Sequence, residues 1–423
     1  MSAAKKLNWR IVDAQNDGVL ADIVKHHVGE FDEIHVSTAA NKLAKLTARR
    51  HTITLSKSQR DSVLLLLEER LRGFKSIRAR PIASLLWSYA KLGYHGNHSM
   101  VHYLSDQVPR VVDDFNPQTL ANTVWAWATM RHQPSAHALV ALERRMLACV
   151  DDFKPQELAN TVWAWATMGH QPSDKVLDAL ERRMLACVDD FNSQALVNTV
   201  WAVAMLMNNI EGDKITINQN VLDRLLHQLE AIEFSTVGDE EHFQQIFQAH
   251  HLLGDRFKPS AALLDQAREA WAKQLASGVS SSPQSSLERE VAACLDRLGI
   301  TYDVEALTED GMHCVDMLVR GRTDDGGERL LAIECDGPVH FFRASDGTYR
   351  IDGSTYARNC DLRKLGLDVL CVTGHGWTSL TKDDERDAYL RRELQERDFK
   401  HSFKCDNVPV ETRDHHRDIC LLY

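Results

Sequence analysis

Apolar residues recur at helical spacing through roughly the first two thirds of the chain, and strand-like alternation replaces this pattern further on. In part of the helical region the pattern is repeated almost letter for letter. The run ANTVWAWATM stands at 121–130 and again 38 residues later at 159–168. Each unit of 38 residues contains two amphipathic helices, the first with Leu120, Val124 and Ala128 on its apolar stripe. Because one hairpin cannot bury both its apolar faces, this period predicts a solenoid of stacked helical hairpins.

The opposite face of each first helix carries amide side chains. Gln118 and Asn122 lie one turn apart, the period repeats this pair in the next two units, and the earlier copy at 77–90 has Ser84 in the asparagine position. Amides offer donors and acceptors to the edge of a base, which favours RNA binding. Two alternatives stay open, namely duplicated surface residues and a ladder of hydrogen bonds between helices. The predicted RNA-binding residues are Ser84, Gln118, Asn122, Gln156, Asn160, Gln194 and Asn198.

Tryptophan recurs in the same helices at two positions. The first position shares a stripe with leucine and valine, so we expect it in the core. Trp127 and Trp165 lie nearer the edge of that stripe and are the better candidates for stacking on bases, although a core position is favoured for them as well. The tryptophans at the first position are Trp87, Trp125, Trp163 and Trp201.

A stretch rich in serine and glycine separates the helical region from a second pattern. After it, the sequence predicts a helix, three strands, a helix at 354–365 and a strand at 368–373, which is an α/β layer. The predicted fold class is therefore a multidomain α and α/β protein. Its predicted parts are an α-solenoid of about five repeats at 1–275, clearest at 77–204, a linker at 276–286, an α/β domain at 287–385 and a charged tail at 386–423.

Acidic residues cluster in the predicted strands of the second domain. Alternation places Glu334 and Asp336 on one face of a strand, and a hairpin would bring Asp316 beside Glu334. Carboxylate oxygens suit Mg²⁺, so Asp316 and Glu334 form a candidate metal site and all three acids are candidate catalytic residues. The alternative is structural, with the carboxylates capping turns or pairing with Arg358 and Arg363. Candidate helpers in catalysis are Glu290, His340 and Arg358.

This arrangement of acids resembles the restriction-endonuclease-like fold, in which an acid on one strand and an E-x-K motif on the next hold a metal. Asp336 stands in the place of the lysine. More narrowly, IECDGPVHF and GSTYARNCDLRKLG resemble the RAP domain, which implies RNA binding by a relative of nucleases. The repeat FxPQxLANTVWAWATM resembles the octotricopeptide repeat of algal organelle RNA factors. The combination implies post-transcriptional control of organellar transcripts.

Composition narrows these expectations. The net charge of -11 argues against phosphate binding over the whole surface. A nucleic-acid interface must therefore be a local patch of positive charge on a surface that is negative on average. Nine cysteines without CxxC spacing indicate a reducing compartment. No stretch has the length of a membrane span, so we expect a soluble protein without membrane contact. No transit peptide is apparent at the N-terminus.

We therefore expect an RNA-binding factor in an organelle, the chloroplast being favoured over the mitochondrion, which stabilises, processes or activates translation of a transcript. Its partner would be single-stranded RNA, with other organellar RNA-processing or ribosomal proteins as further partners. This function requires no cofactor, and we expect the RAP domain to bind Mg²⁺ or Mn²⁺ more readily than it cuts a substrate. The first alternative is a metal-dependent endonuclease guided by the repeats. The second is a protein scaffold that binds no nucleic acid.

Overall fold

The computed structural model describes residues 2–94, 98–208, 216–232, 234, 239–281, 284–322, 328–344, 346–397 and 400–401. These residues form two compact units. The first unit holds the described residues of 1–233, 249–258 and 342–353, and the second holds those of 234–248, 259–341 and 354–423.

Helical hairpins build most of the first unit. In its described part, six hairpins follow one another where about five repeats were predicted, and the first helices α3, α5, α7, α9 and α11 each pack against the next. The helices are α1 (Ala3–Asp13), α2 (Asp17–His27), α3 (Glu33–Thr47), α4 (Lys57–Arg72), α5 (Ala79–Leu92), α6 (His98–Val111), α7 (Pro117–Thr129), α8 (Ala136–Cys149), α9 (Pro155–Met168), α10 (Asp174–Ala186), α11 (Ser193–Asn208) and α12 (Gln219–Glu230).

Local sequence explains where the repeated helices begin and how they are held. Pro117 and Pro155 occupy the first helical turn, where proline's fixed φ favours the helix and its missing N–H costs no hydrogen bond. On the second helices, Arg145 Nε donates to the carbonyl oxygen of Phe115 (2.8 Å) and Arg183 Nε repeats this contact one unit later (2.7 Å). The repeated arginines thus stabilise each hairpin internally.

The core position favoured for Trp127 and Trp165 is confirmed, whereas the core position expected for Trp87, Trp125 and Trp163 is wrong. Trp127 and Trp165 are 0% and 1% exposed, whereas Trp125 and Trp163 are only half-buried. Trp127 follows Leu120 by two helical turns and therefore lies on the same side as Leu120, while Trp125 lies on the side of the amides. Trp87 is half-buried in the same way, and Trp201 at 9% exposure is the most enclosed of that row.

The predicted α/β layer is confirmed in the second unit. Strands β1 to β3 are consecutive and antiparallel, β6 is parallel to β3, and β7 adds to the edge of β2. The elements after α12 are α13 (Glu240–Leu253), α14 (Ala261–Ser281), α15 (Ser286–Arg297), β1 (Tyr302–Leu307), β2 (Cys314–Arg322), β3 (Glu328–Asp336), β4 (Phe341–Arg343), β5 (Tyr349–Ile351), α16 (Gly353–Lys364), β6 (Asp368–Thr373), α17 (Gly374–Trp377), α18 (Asp383–Glu396) and β7 (Lys400–His401).

Two apolar clusters position the sheet. The larger joins α15 and α18 to Met317, Ile333 and neighbouring strand residues, and the smaller includes Leu362 of α16 packed with Ala332. Two predicted boundaries change as a result. Helix α14 runs to Ser281, so the predicted linker at 276–286 begins within a helix. Helix α18 buries Leu390 and Leu394, so the first part of the predicted tail belongs to the domain core. Residues 402–423 of that tail lie outside the described residues.

Residues 342–353 of the β4–β5 hairpin belong to the first unit, where they pack against the end of α7. Arg131 donates from its guanidinium to Asp352 Oδ2 (2.6 Å), and its guanidinium carbon lies 5.4 Å from the centre of the Phe342 ring. The backbone N–H of Arg343 donates to the carbonyl of Arg131 (3.0 Å). Arg131 adopts a left-handed φ of 54°, in a position that Gly169 occupies one repeat later. The contacts with the hairpin offset a conformation that costs a non-glycine residue about 1–2 kcal/mol.

Among the described residues, no helix combines the length and the apolar character needed to cross a membrane.

Candidate functional site

The predicted amide row lies on one face of the first helices, and we call these seven residues together the amide face. Asn122, Asn160 and Asn198 are half-buried, and Ser84 is half-buried in the same position of α5. The glutamines one turn earlier, Gln118, Gln156 and Gln194, are exposed. The successive packing of α5, α7, α9 and α11 places these groups side by side, one set for each repeat.

The asparagines of this face do not form a ladder between helices. Asn160 Oδ1 accepts from Gln156 Nε2 at 3.5 Å, which is a weak contact within one helix. In the part of the chain that the structure describes, the side chains of Asn122 and Asn198 make no hydrogen bond to another residue. The structural alternative for these amides, a ladder that ties the repeats together, is therefore wrong for the described residues. Their donors and acceptors remain available to a ligand.

Half-buried indole rings accompany the amides. Trp87, Trp125 and Trp163 each follow the serine or asparagine of their helix by three residues, which places both side chains on the same face. Lys91 Nζ lies 4.6 Å from the ring centre of Trp125 and 5.9 Å from that of Trp87, within the range of cation–π attraction. Each of these repeats therefore presents one polar hydrogen-bonding group and one aromatic surface.

A groove of about 1030 Å³ forms the end of this face at α1, α3, α5 and α7. Ser84, Gln118 and Asn122 of the predicted binding residues line it, together with Trp87. Its charged lining residues are Lys45, Arg78 and Arg80, and no lining residue is acidic. The groove thus has the local positive charge that a nucleic-acid interface requires in a chain with a net charge of -11.

The acidic cluster of the second unit forms at the adjacent ends of β2 and β3. As predicted, the strands pair in a hairpin register, and Asp316 Oδ2 accepts the backbone N–H of Cys335 at 2.7 Å. Glu334 and Asp336 are each 1% exposed. Burying two carboxylates is unfavourable unless a positive charge or hydrogen-bond donors compensate for lost hydration.

Arg358, from α16, supplies that compensation. One guanidinium nitrogen lies 3.0 Å from Glu334 Oε2, and another lies 3.0 Å from Asp336 Oδ1. Asn359 Oδ1 accepts from Arg358 Nε at 3.3 Å, and Asn359 Nδ2 donates to Cys371 Sγ at 3.1 Å. The guanidinium is therefore held between two strand carboxylates and a buried amide.

Burial shifts the titration of the cluster. It raises the pKa of Glu334 to about 8, against the opposing effect of Arg358, and the charges of Asp316 and Asp336 add to the increase. Burial likewise raises the pKa of Asp316 to about 6, against the hydrogen bond from Cys335. Glu334 Oε1 has no hydrogen-bond partner among the described residues, so it is the oxygen on which a proton would reside.

These pKa values predict how the stability of the second unit depends on pH. Both folded-state values lie above the unfolded ones, so the folded form binds more protons and its stability falls as the pH rises from about 5 to about 9. Since one pKa unit corresponds to about 1.4 kcal/mol, we expect a loss above 1 kcal/mol. The Glu334→Gln variant should lose much less over this range. Hydrogen exchange of β3 amides measures the difference, and equal losses in both proteins would contradict it.

Among the described residues, the three acids do not form a cluster of three metal ligands. Asp316, Glu334 and Asp336 do not bring three ligand oxygens within 4.8 Å of one another. Arg358 already contacts one oxygen of Glu334 and one of Asp336, and it supplies the positive charge that a metal would bring. This arrangement favours the structural alternative for the acids, in which they pair with Arg358. The other arginine of that alternative, Arg363, is exposed.

The three predicted helpers have different surroundings. Arg358 joins the cluster, and His340 Nδ1 lies 2.9 Å from Thr355 Oγ1 and 3.8 Å from Asp336 Oδ1. Glu290 accepts from the indole N–H of Trp377 (3.0 Å) and pairs with Arg386 (3.0 Å), two partners outside the acidic cluster.

Sequence reasoning missed two residues of this site. The charge of Glu288, in the first turn of α15, raises the pKa of Asp316. Its position one turn before the buried Val291, on the apolar stripe of α15, was the available signal. Asn359 is 3% exposed and follows Arg358 directly, but its polar character gave no indication that it would be buried.

Comparison with known proteins identifies both regions. The model of a family described as RNA-editing substrate-binding complex 6 protein matches residues 74–237, which contain α5 to α12. The model of the RAP domain matches residues 333–393, which begin within β3 and end within α18. No curated protein matches the sequence.

Proposed function

We propose that this chain, a helical-repeat protein with a C-terminal RAP domain, binds single-stranded RNA through the amide face of its repeats. An RNA-associated function is supported by the two family matches, one of which names an RNA-editing substrate-binding complex. The observation that carries the proposal is the regular row of Asn122, Asn160 and Asn198, which lack hydrogen bonds between repeats and lie beside half-buried tryptophans.

The chemistry of this face favours unpaired bases. An asparagine amide pairs with the Watson–Crick or Hoogsteen edge of a base, and these edges are accessible in a single strand but not in an A-form duplex. An indole ring stacks on a base of any sequence, with a contribution of about 1–3 kcal/mol for each base. In this proposal, a tryptophan such as Trp125 holds the base while Asn122 on the same face reads its edge.

The biological role in this proposal is post-transcriptional control in an organelle. The factor would stabilise a transcript, direct its processing or activate its translation. The resemblance of the repeats to the octotricopeptide repeat supports the chloroplast, with the mitochondrion as the alternative. The description of the matched family supports further partners within an RNA-processing complex.

Metal-dependent cleavage is not part of this proposal. In this proposal the RAP domain contacts RNA, and Arg358 engages Glu334 and Asp336, two of the acids that the endonuclease alternative needs. Incubation of the full chain with RNA, in Mg²⁺, in Mn²⁺ and in chelator, tests the endonuclease alternative. Metal-dependent cleavage that disappears in Glu334→Gln would contradict our proposal.

The amide face makes a direct prediction for RNA affinity. Replacing Asn122, Asn160 and Asn198 together by alanine should weaken binding to a random-sequence pool of single-stranded RNA by about 2–4 kcal/mol, because each hydrogen bond contributes about 0.5–1.5 kcal/mol. Fluorescence anisotropy measures the affinity, and circular dichroism checks that helicity is unchanged. Asn220→Ala, at an exposed position of α12, is the matched control and should bind like the wild type.

Three outcomes would decide against this assignment. Unchanged RNA affinity in the folded triple variant would remove the amide face as the interface. Absence of RNA binding by the wild-type chain, together with binding of a protein partner, would favour the scaffold alternative. Equal affinity for a duplex of the same pool would contradict the reading of unpaired bases.

A further inference from the structure

We propose that the groove at α1, α3, α5 and α7 binds the terminal phosphate monoester of an RNA strand. This inference rests on the proposed function and adds a defined position for one end of the RNA. Its first basis is the distribution of positive charge along the amide face. Helices α7, α9 and α11 contain no lysine or arginine, although they carry the asparagines and most of the tryptophans.

Three cations line the groove, and Lys91 of α5, outside its lining, lies over the ring of Trp125. Lys45 of α3 and Arg80 of α5 line the groove and are exposed, and within the described residues neither has an ion pair. Arg78 also lines the groove, but its guanidinium is already paired with Glu33. Lys45 and Arg80 are therefore the cations of the groove lining whose charge is available to an incoming anion.

A terminal phosphate fits this distribution better than an internal one. Every internal phosphodiester carries one negative charge, so an RNA without a preferred end would gain most from cations spread evenly along the helices. A phosphate monoester carries about 1.5 to 2 negative charges at neutral pH and has three acceptor oxygens. Two unpaired cations in one groove match this single group of higher charge.

The size and lining of the groove agree with a terminal nucleotide. Its volume of about 1030 Å³ exceeds that of a single nucleotide, and Trp87 offers a ring for the first base. Asn8 of α1 also lines the groove, and its buried Oδ1 has no hydrogen-bond partner among the described residues. A ribose hydroxyl or an exocyclic amino group would supply the missing donor. The terminal nucleotide would thus occupy the groove while the following bases meet Trp125 and Trp163.

The test compares one single-stranded oligoribonucleotide sequence in three forms, with a 5′-phosphate, with a 3′-phosphate and with hydroxyl groups at both ends. We expect the full chain to bind one phosphorylated form about tenfold more tightly than the hydroxyl form, as two charge-assisted contacts would provide. In the Lys45→Ala/Arg80→Ala variant this preference should disappear, so that the phosphorylated and hydroxyl forms bind with equal affinity.

The controls separate this inference from the function on which it rests. Lys175→Ala/Arg182→Ala removes two exposed cations from α10 and should keep the preference for the phosphate. If the wild type binds all three forms equally, the terminal-phosphate inference is overturned and RNA binding stands. If the wild type binds none of them, or any other single strand, the proposed function itself fails. If the groove variant weakens all three forms equally, Lys45 and Arg80 attract RNA in general, which also overturns the inference.

Discussion

Replacing Trp165 by alanine should lower the free energy of unfolding of the repeat region by about 3–5 kcal/mol, the range for large aromatic side chains removed from a core. The ring is 1% exposed and belongs to a helix whose neighbours α7 and α11 both pack against it. Urea unfolding followed by circular dichroism measures the loss. Because stacked repeats share interfaces, the transition midpoint of the whole array should move, beyond the hairpin that carries the substitution.

The same helix offers a matched control two residues earlier. Trp163 is half-buried on the amide face, so Trp163→Ala should cost clearly less stability than Trp165→Ala. The order of effects on RNA affinity should be the reverse, because the Trp163 ring is the one available for stacking. Equal destabilisation by the two substitutions, or an unchanged RNA affinity of folded Trp163→Ala, would contradict the assignment of these faces.

Replacing Arg358 by methionine should destabilise the RAP domain by about 3–5 kcal/mol, the cost of removing one partner from a buried ion pair. The variant leaves Glu334 and Asp336 buried without their guanidinium partner. The loss should be largest at alkaline pH, where protonating the buried carboxyl groups costs the most free energy. Hydrogen exchange of β3 and β6 amides measures the change within this domain.

Two further variants test this explanation. The exposed Arg363 lies on the same helix, and Arg363→Met should change stability by less than about 0.5 kcal/mol. Adding Glu334→Gln and Asp336→Asn to Arg358→Met removes the uncompensated charges, so it should recover a large part of the lost stability. Equal losses for Arg358→Met with and without the two neutral replacements would show that packing of the arginine, and not its charge, holds the site.

The sequence predicted the features that depend on local spacing, and it failed for those that depend on packing between distant segments. The repeat and the order of helices and strands follow from local spacing, and Pro117 and Pro155 mark helix starts. The side of a helix that is buried depends on where the neighbouring helices pack. We assigned Trp125 to the apolar stripe of Leu120 and Val124, whereas packing against the neighbouring helices buries Trp127.

In the acidic cluster, too, local patterns were predicted correctly and a contact between distant segments was not. Strand alternation and hairpin pairing brought Asp316, Glu334 and Asp336 together correctly. The position of Arg358 between two of them depends on how α16 packs on the sheet, for which spacing within the helix gives no signal. The sequence analysis chose Glu290 as a helper and missed Glu288, because both lie near the start of α15. Only the packing of that helix shows that Glu288 acts on Asp316 while Glu290 contacts Trp377.

The β4–β5 hairpin has a consequence for how the array distinguishes its own copies. The helices α7 and α9 share the letters ANTVWAWATM, so their apolar contacts would be nearly as favourable if one replaced the other in the stack. The residue after that run differs, being Arg131 in one copy and Gly169 in the other. Asp352 pairs with the first, and glycine has no side chain that could take that place. The side-chain contacts of Arg131 with Asp352 and Phe342 therefore distinguish one of two near-identical repeats, and they set the register of the array with respect to the hairpin where the shared apolar residues cannot.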